Sequence, residues 1–85
     1  MAEFYYFSTQ TCGPCKAFKP VVQQVVAETG IPMQFVDAQQ NPALASKYGI
    51  SSVPTIVVAE GGQPIYKQSG VQSKTQLAAA LARFK

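Results

Sequence analysis

The 85-residue chain predicts an α/β domain, one mixed four-stranded sheet carrying three helices in the order strand, helix, strand, helix, strand, strand, helix (βαβαββα). Three observations predict it. Short runs rich in aromatic and β-branched residues alternate with segments whose apolar residues recur at helical spacing. The first two runs flank a long helical pattern, so they pair in parallel through a right-handed crossover. The last two are separated only by Glu60-Gly61-Gly62-Gln63, a turn that makes an antiparallel hairpin. Residues 1–85 are read as one domain from the length alone, and an apolar fraction of 47% is that of a folded globular protein, not a disordered one.

Phe4 to Phe7 is the first strand, and Ser8-Thr9-Gln10-Thr11 is a polar loop. From Cys15, the residues Phe18, Val21, Val22, Val25 and Val26 fall at i, i+3, i+4, i+7 and i+8, one face of a helix. The periodicity outweighs the poor helix propensity of valine. Pro20 removes a backbone donor inside this pattern and is expected to kink it. Gly30 and Pro32 end the helix. Met33 to Val36 is the second strand. Asn41-Pro42 supplies an N-cap followed by proline at the first helical position, opening a short helix that Gly49 closes. Thr55 to Ala59 is a β-branched strand, and Pro64 to Gln68 an edge strand, where proline is tolerated. Ser73 with Gln76 three residues on forms a capping box, and Leu77, Ala80, Leu81 and Phe84 give the last helix one apolar face.

Composition narrows the function. The net charge of +3 comes from seven scattered basic residues, with no run of the kind that tracks nucleic acid. No segment approaches the roughly 20 apolar residues of a membrane span, and no leader pattern is visible at Met1. A cytoplasmic protein is therefore expected, without nucleic-acid or membrane partners. In that compartment a closely spaced cysteine pair is more often catalytic or metal-binding than structural.

The pair is Cys12-Gly13-Pro14-Cys15, and it contains the only cysteines of the chain. This C-x-x-C spacing closes a small disulfide ring that thiol exchange can reopen. A strand precedes the pair and a helix follows it, so Cys12 is expected where free backbone N–H groups and the helix dipole favour a thiolate. Thiols activated in this way have pKa values of about 3.5–7.5, against about 8.5 for free cysteine. Lys16 and Lys19 follow closely and could add to that effect, or simply be solvated. Zinc or iron–sulfur ligation is the alternative, but two cysteines and no histidine cannot complete a four-ligand site in one chain, so no metal or cofactor is expected.

The chain resembles the thioredoxin family over nearly all its length. The matching residues are Cys12-Gly13-Pro14-Cys15-Lys16 with Pro20, Asn41-Pro42, Lys47-Tyr48-Gly49-Ile50, Ser52-Val53-Pro54-Thr55, Gly61-Gly62 and Gly70. The element order, beginning just before the cysteines, and the Tyr-Phe-Ser approach to them are similar to the minimal architecture of glutaredoxins. The resemblance implies a minimal thioredoxin fold and a reductase of protein disulfides. Cys12 would be the nucleophile and Cys15 the resolving thiol, with Gly13 and Pro14 restricting the active-site loop. Pro54 resembles the family's cis-proline, which leaves the Val53 backbone free to pair with an extended substrate. Gly70 would permit close approach of that substrate. The implied partners are disulfide-containing proteins and a thioredoxin reductase or similar dithiol donor, since the chain is too short for a flavin or nicotinamide domain; a monomer is expected.

Three positions depart from the family pattern. Thr11 stands where a tryptophan usually precedes the first cysteine, Tyr6 where a buried aspartate is usual, and Phe35 where that aspartate's lysine aligns. Tyr6 could hydrogen-bond near Cys15 or only fill the core. Asp37 reads as a loop-start residue and is left outside the catalytic set. Two rivals follow. A glutathione-dependent glutaredoxin would want an acidic residue after Gly70, where Val71-Gln72-Ser73-Lys74 offers none. A binding module or clamp using the same fold would not need the cysteines.

Overall fold

The computed structural model describes residues 2–84. Its elements are β1 (Ala2–Ser8), α1 (Gly13–Thr29), β2 (Met33–Asp37), α2 (Pro42–Lys47), β3 (Thr55–Glu60), β4 (Gln63–Ser69) and α3 (Lys74–Ala82), the order read from the sequence. The strands form one sheet in the order β2-β1-β3-β4. β1 and β2 run parallel, and the other neighbours are antiparallel.

Side chains alternate across the two central strands, which are buried on both faces. Phe4, Tyr6, Ile56 and Val58 pack with Phe18, Val22 and Val25 of α1 and with Leu77 and Leu81 of α3. Tyr5, Phe7, Val57 and Ala59 pack on the opposite face with Val36 and Tyr48, joined by the partly buried Leu44 of α2. Helices therefore cover both faces, as expected, and β1 is held between two cores just before it reaches the cysteines.

Several local details differ from the expectation. α1 begins at Gly13, ahead of the first apolar residue of its pattern, because its start is set by the cap at Cys12 and by Pro14 in the first turn. It is 17 residues long and holds Pro20 inside it, as the apolar pattern implied. The hairpin turn shrinks to Gly61-Gly62, with φ of 61° and 81°, and both strands extend toward it. Such a two-residue turn demands positive φ at both positions, which glycine supplies freely. In β4, Tyr66 pairs with Val58 while Pro64 pairs with Ala59, so Ile65 is the extra residue of a bulge near the edge-strand proline.

Asn41 occupies the N-cap position of α2, but its side chain makes no cap bond; its Nδ2 donates to the Asp37 carbonyl instead. The other end of α2 follows the expectation. The Gly49 N–H donates to Ser46 O and the Ile50 N–H to Ala45 O, with Gly49 at φ 64°, a Schellman ending. The capping box at Ser73 and Gln76 forms in both directions.

Candidate active site

Cys12 ends the loop that leaves β1, its N–H donating to Thr9 O at 3.3 Å. It is the N-cap of α1, and its Sγ accepts the Cys15 N–H at 3.1 Å. A sulfur thus takes the place usually held by a Ser or Asp oxygen, facing the positive end of the helix. The first turn of α1 contains no acidic residue to oppose a thiolate there. Gly13 and Pro14 form the exposed top of that turn, and Pro14 has no N–H to leave unpaired. Cys12 and Cys15 are joined as a disulfide, with 5.3 Å between their Cα atoms. The two sulfurs are not equivalent. Cys12 is half-buried, whereas Cys15 is only 3% exposed.

Tyr6 lies beneath Cys15, fully buried, and its hydroxyl donates to the Cys15 carbonyl at 3.0 Å. Tyr6 therefore both fills the core and hydrogen-bonds at Cys15. Its ring meets Phe18 and Phe35 edge-on, at centroid distances of 5.9 and 5.6 Å. Phe35 reaches it because the parallel register sets Tyr6 opposite Phe35. Burial raises the Tyr6 phenol above its ordinary range, so the group stays protonated at neutral pH.

A pocket of about 280 Å³ opens beside these residues, lined by Tyr6, Ser8, Thr9, Gln10, Cys15, Lys16, Lys19, Phe35 and Asp37. Lys19 Nζ stands 5.9 Å from the centroid of Phe35, which is 42% exposed. Asp37 lines the pocket, but its Oδ1 accepts the amides of Gln39 and Gln40 at 2.8 and 3.3 Å. That is the loop-start role expected of it.

The remaining predicted residues gather at the same end of the sheet. Thr55 pairs with Phe7 on one side and with Ser69 on the other, so Pro54 and Gly70 emerge beside the strand that feeds the cysteines. The Val53–Pro54 peptide is cis, and the Gly70 N–H donates to Pro54 O at 2.9 Å. Gly70 has φ of 91°. Val53 shares a shallow depression with Thr9, Ala38, Ile50, Ser51 and Ser52, which brings it to the loop before Cys12. The pocket at Cys15 includes none of Val53, Pro54 or Gly70. Sequence reasoning missed Thr9 as the acceptor for Cys12 and Lys19 as the cation over Phe35; helical spacing from Cys15 was the signal for the second.

The thioredoxin family model matches residues 3–83. A thioredoxin-like protein of Synechocystis sp. is 38% identical over 80 residues, covering 92% of this chain and 76% of its own. A Staphylococcus aureus thioredoxin is 40% identical over 72 residues, or 82% of this chain and 69% of its own. Among solved structures, Fasciola hepatica thioredoxin superposes with a TM-score of 0.88 at 30% identity, covering 99% of this chain and 81% of that one.

Proposed function

The chain belongs to the thioredoxin family, and from that premise we propose how its residues divide the work. The protein is a thiol–disulfide oxidoreductase that acts by dithiol exchange. Its family implies disulfide-containing protein substrates and a reductase donor. The glutathione-dependent reading is not better supported by the family model, the Staphylococcus aureus relative or the solved thioredoxin structures.

One observation carries the division of labour: half-buried Cys12 at the helix cap, against Cys15 recessed beneath it. The Cys12 thiolate attacks one sulfur of a substrate disulfide and expels the other as a thiolate. Cys15 then gives up its proton, attacks Cys12 Sγ and releases the second substrate thiolate. The substrate leaves as a dithiol and the enzyme is left as the Cys12–Cys15 disulfide. Gly13 and Pro14 hold the ring-forming loop. The Val53 backbone, just before Pro54, pairs with an extended substrate segment by strand addition, and Gly70 leaves room for it. A thioredoxin reductase or similar dithiol donor returns the electrons to this single domain, acting as a cytoplasmic monomer without cofactor, metal, nucleic acid or membrane. No helix among the described residues is long and apolar enough to cross a membrane.

Trapping tests the roles. Cys15→Ser should accumulate a mixed disulfide with a protein substrate, Cys12→Ser should not, and alkylation near neutral pH should label Cys12 first. Faster labelling of Cys15 would reverse the assignment. A donor comparison tests the substrate class: turnover of insulin-type disulfides is expected with thioredoxin reductase or a dithiol, and weak activity with glutathione. Glutathione-driven deglutathionylation that survives Cys15→Ser would favour the glutaredoxin rival. Full biological activity of the double Cys-to-Ser variant would favour the clamp.

A further inference from the structure

Among the described residues, the Tyr6 hydroxyl is the only β1 side-chain group that hydrogen-bonds the cysteine helix. Its place along that helix is informative. In an α-helix each carbonyl accepts the amide four residues on. The carbonyl of Lys16 has no such donor, because residue 20 is proline. The internal ladder of α1 is therefore interrupted immediately after Cys15, and the bond from Tyr6 ties the helix to the sheet at that point. The tie is rigid at its sheet end. Tyr6 is fully buried between the rings of Phe18 and Phe35, so its hydroxyl cannot swing away. Asp37, the carboxylate that lines the adjoining pocket, accepts the amides of its own turn instead.

We propose that Tyr6 is a positioning residue for the second half of the exchange: its bond to the Cys15 carbonyl holds the Cys15 thiol within reach of Cys12 Sγ after the disulfide ring has opened. The inference rests on Cys15 being the resolving thiol. While the ring is closed, the covalent bond itself fixes Cys15. In the mixed disulfide that constraint is gone, and among the described residues the Tyr6 bond is the side-chain tie from β1 that still holds the turn carrying Cys15 to the sheet. The Tyr6 hydroxyl bonds Cys15 and not Cys12, so the first attack is not expected to depend on it.

Reaction of the reduced protein with 5,5′-dithiobis(2-nitrobenzoate) separates the two halves. Cys12 thiolate attacks the reagent, forms a Cys12–thionitrobenzoate disulfide and releases one thionitrobenzoate anion. Cys15 loses its proton to solvent, attacks Cys12 Sγ and releases the second anion. Tyr6→Phe removes only the hydroxyl and is expected to slow the second release about three- to tenfold, the scale of one lost hydrogen bond, with the first release within about twofold of wild type. Phe35→Ala, at a half-exposed site, keeps the hydroxyl but removes one wall behind it; a slowing of about two- to threefold confined to the second release is expected.

A wild-type second release in Tyr6→Phe overturns the proposal, as does equal slowing of both releases, which marks general loosening. Should Tyr6→Phe fail to fold, Phe35→Ala decides by the same two criteria. Cys15→Ser guards the premise: it should abolish the fast second release. Its persistence there would refute the resolving role of Cys15 itself, a failure distinct from unaltered kinetics in Tyr6→Phe.

Discussion

The two flanks of the cysteine pair are built from different materials. Behind Cys15 stand side chains: Tyr6 bonded to its carbonyl, Phe18 and Phe35 against the Tyr6 ring, and Lys19 over Phe35. On the other flank stands backbone: the Val53–Pro54 peptide, the Pro54 carbonyl and the Gly70 N–H bonded to it. A flank of side chains can be retuned one residue at a time. A flank of main chain presents the same groups whatever the neighbouring sequence, which suits the strand addition proposed for it. Two of the three departures from the family pattern, Tyr6 and Phe35, lie on the side-chain flank, and the third, Thr11, lies in the loop before Cys12; Val53-Pro54-Thr55 and Gly70 match the residues of the resemblance.

The harshest way to break the side-chain flank is Tyr6→Asp. It removes a fully buried aromatic ring and buries a carboxylate among Phe18 and Phe35, so urea melts at pH 7 should show a loss of about 3–5 kcal/mol. Burial would raise that carboxyl's folded pKa above the unfolded value. The ionic part of the penalty should therefore be absent below about pH 4 and grow as pH rises toward the folded pKa. Undiminished stability at pH 7 would mean that Tyr6 is not part of the core.

The backbone flank should respond to conformation instead of size. A Cβ at Gly70 would meet nothing within 4 Å, yet the residue sits at φ 91°. Gly70→Ala should therefore cost about 1–2 kcal/mol in thermal or urea melts, with no steric component. If substrate passes close to Gly70, KM for protein disulfides should rise while kcat holds. An unchanged KM would remove Gly70 from the substrate surface.

A smaller effect lies at high pH. Burial raises the Tyr6 phenol above its unfolded value near 10, so its contribution to stability is fully present below about pH 10 and is lost as pH climbs toward the folded pKa. Tyr5 is shifted in the same direction, chiefly by burial and by hydrogen bonding to Tyr48 and Glu3, and should add to the alkaline loss. Tyr6→Phe should leave a shallower decline above pH 10 than wild type, measurable in melts at pH 9, 10 and 11. Smallest of all is Lys19→Ala, which removes an exposed cation from Phe35 and should change stability by about 0.5 kcal/mol or less. A larger loss would show that the outer edge of this flank carries more weight than its exposure implies.

Much of this was legible because the relevant signals are local. The apolar spacing from Phe18 to Val26 needs only one helix to explain it, and the glycine ending at Gly49 and the capping box at Ser73 each lie within a few residues. The cysteine pair is equally local: four consecutive residues between a strand and a helix suffice to mark redox chemistry. Local reading failed where neighbouring groups compete. Asn41 had the right identity for a cap, but the Asp37 carbonyl took its side-chain donor. The Glu60–Gln63 turn read as four residues, while pairing extended both strands and left only Gly61 and Gly62 to turn.

By itself, then, the sequence determined the order of elements, the helix ends and the position of Cys12 at a helix start, because periodicity and capping act between residues a few positions apart. Only the tertiary structure decided what surrounds the second cysteine. Tyr6 meets the Cys15 carbonyl through the packing of α1 on β1, and Phe35 meets Tyr6 through the parallel register of β2. Pro54 and Gly70 meet because β3 and β4 pair in one particular alignment. Register and helix packing are settled by the whole buried core at once, so no short stretch of residues encodes them.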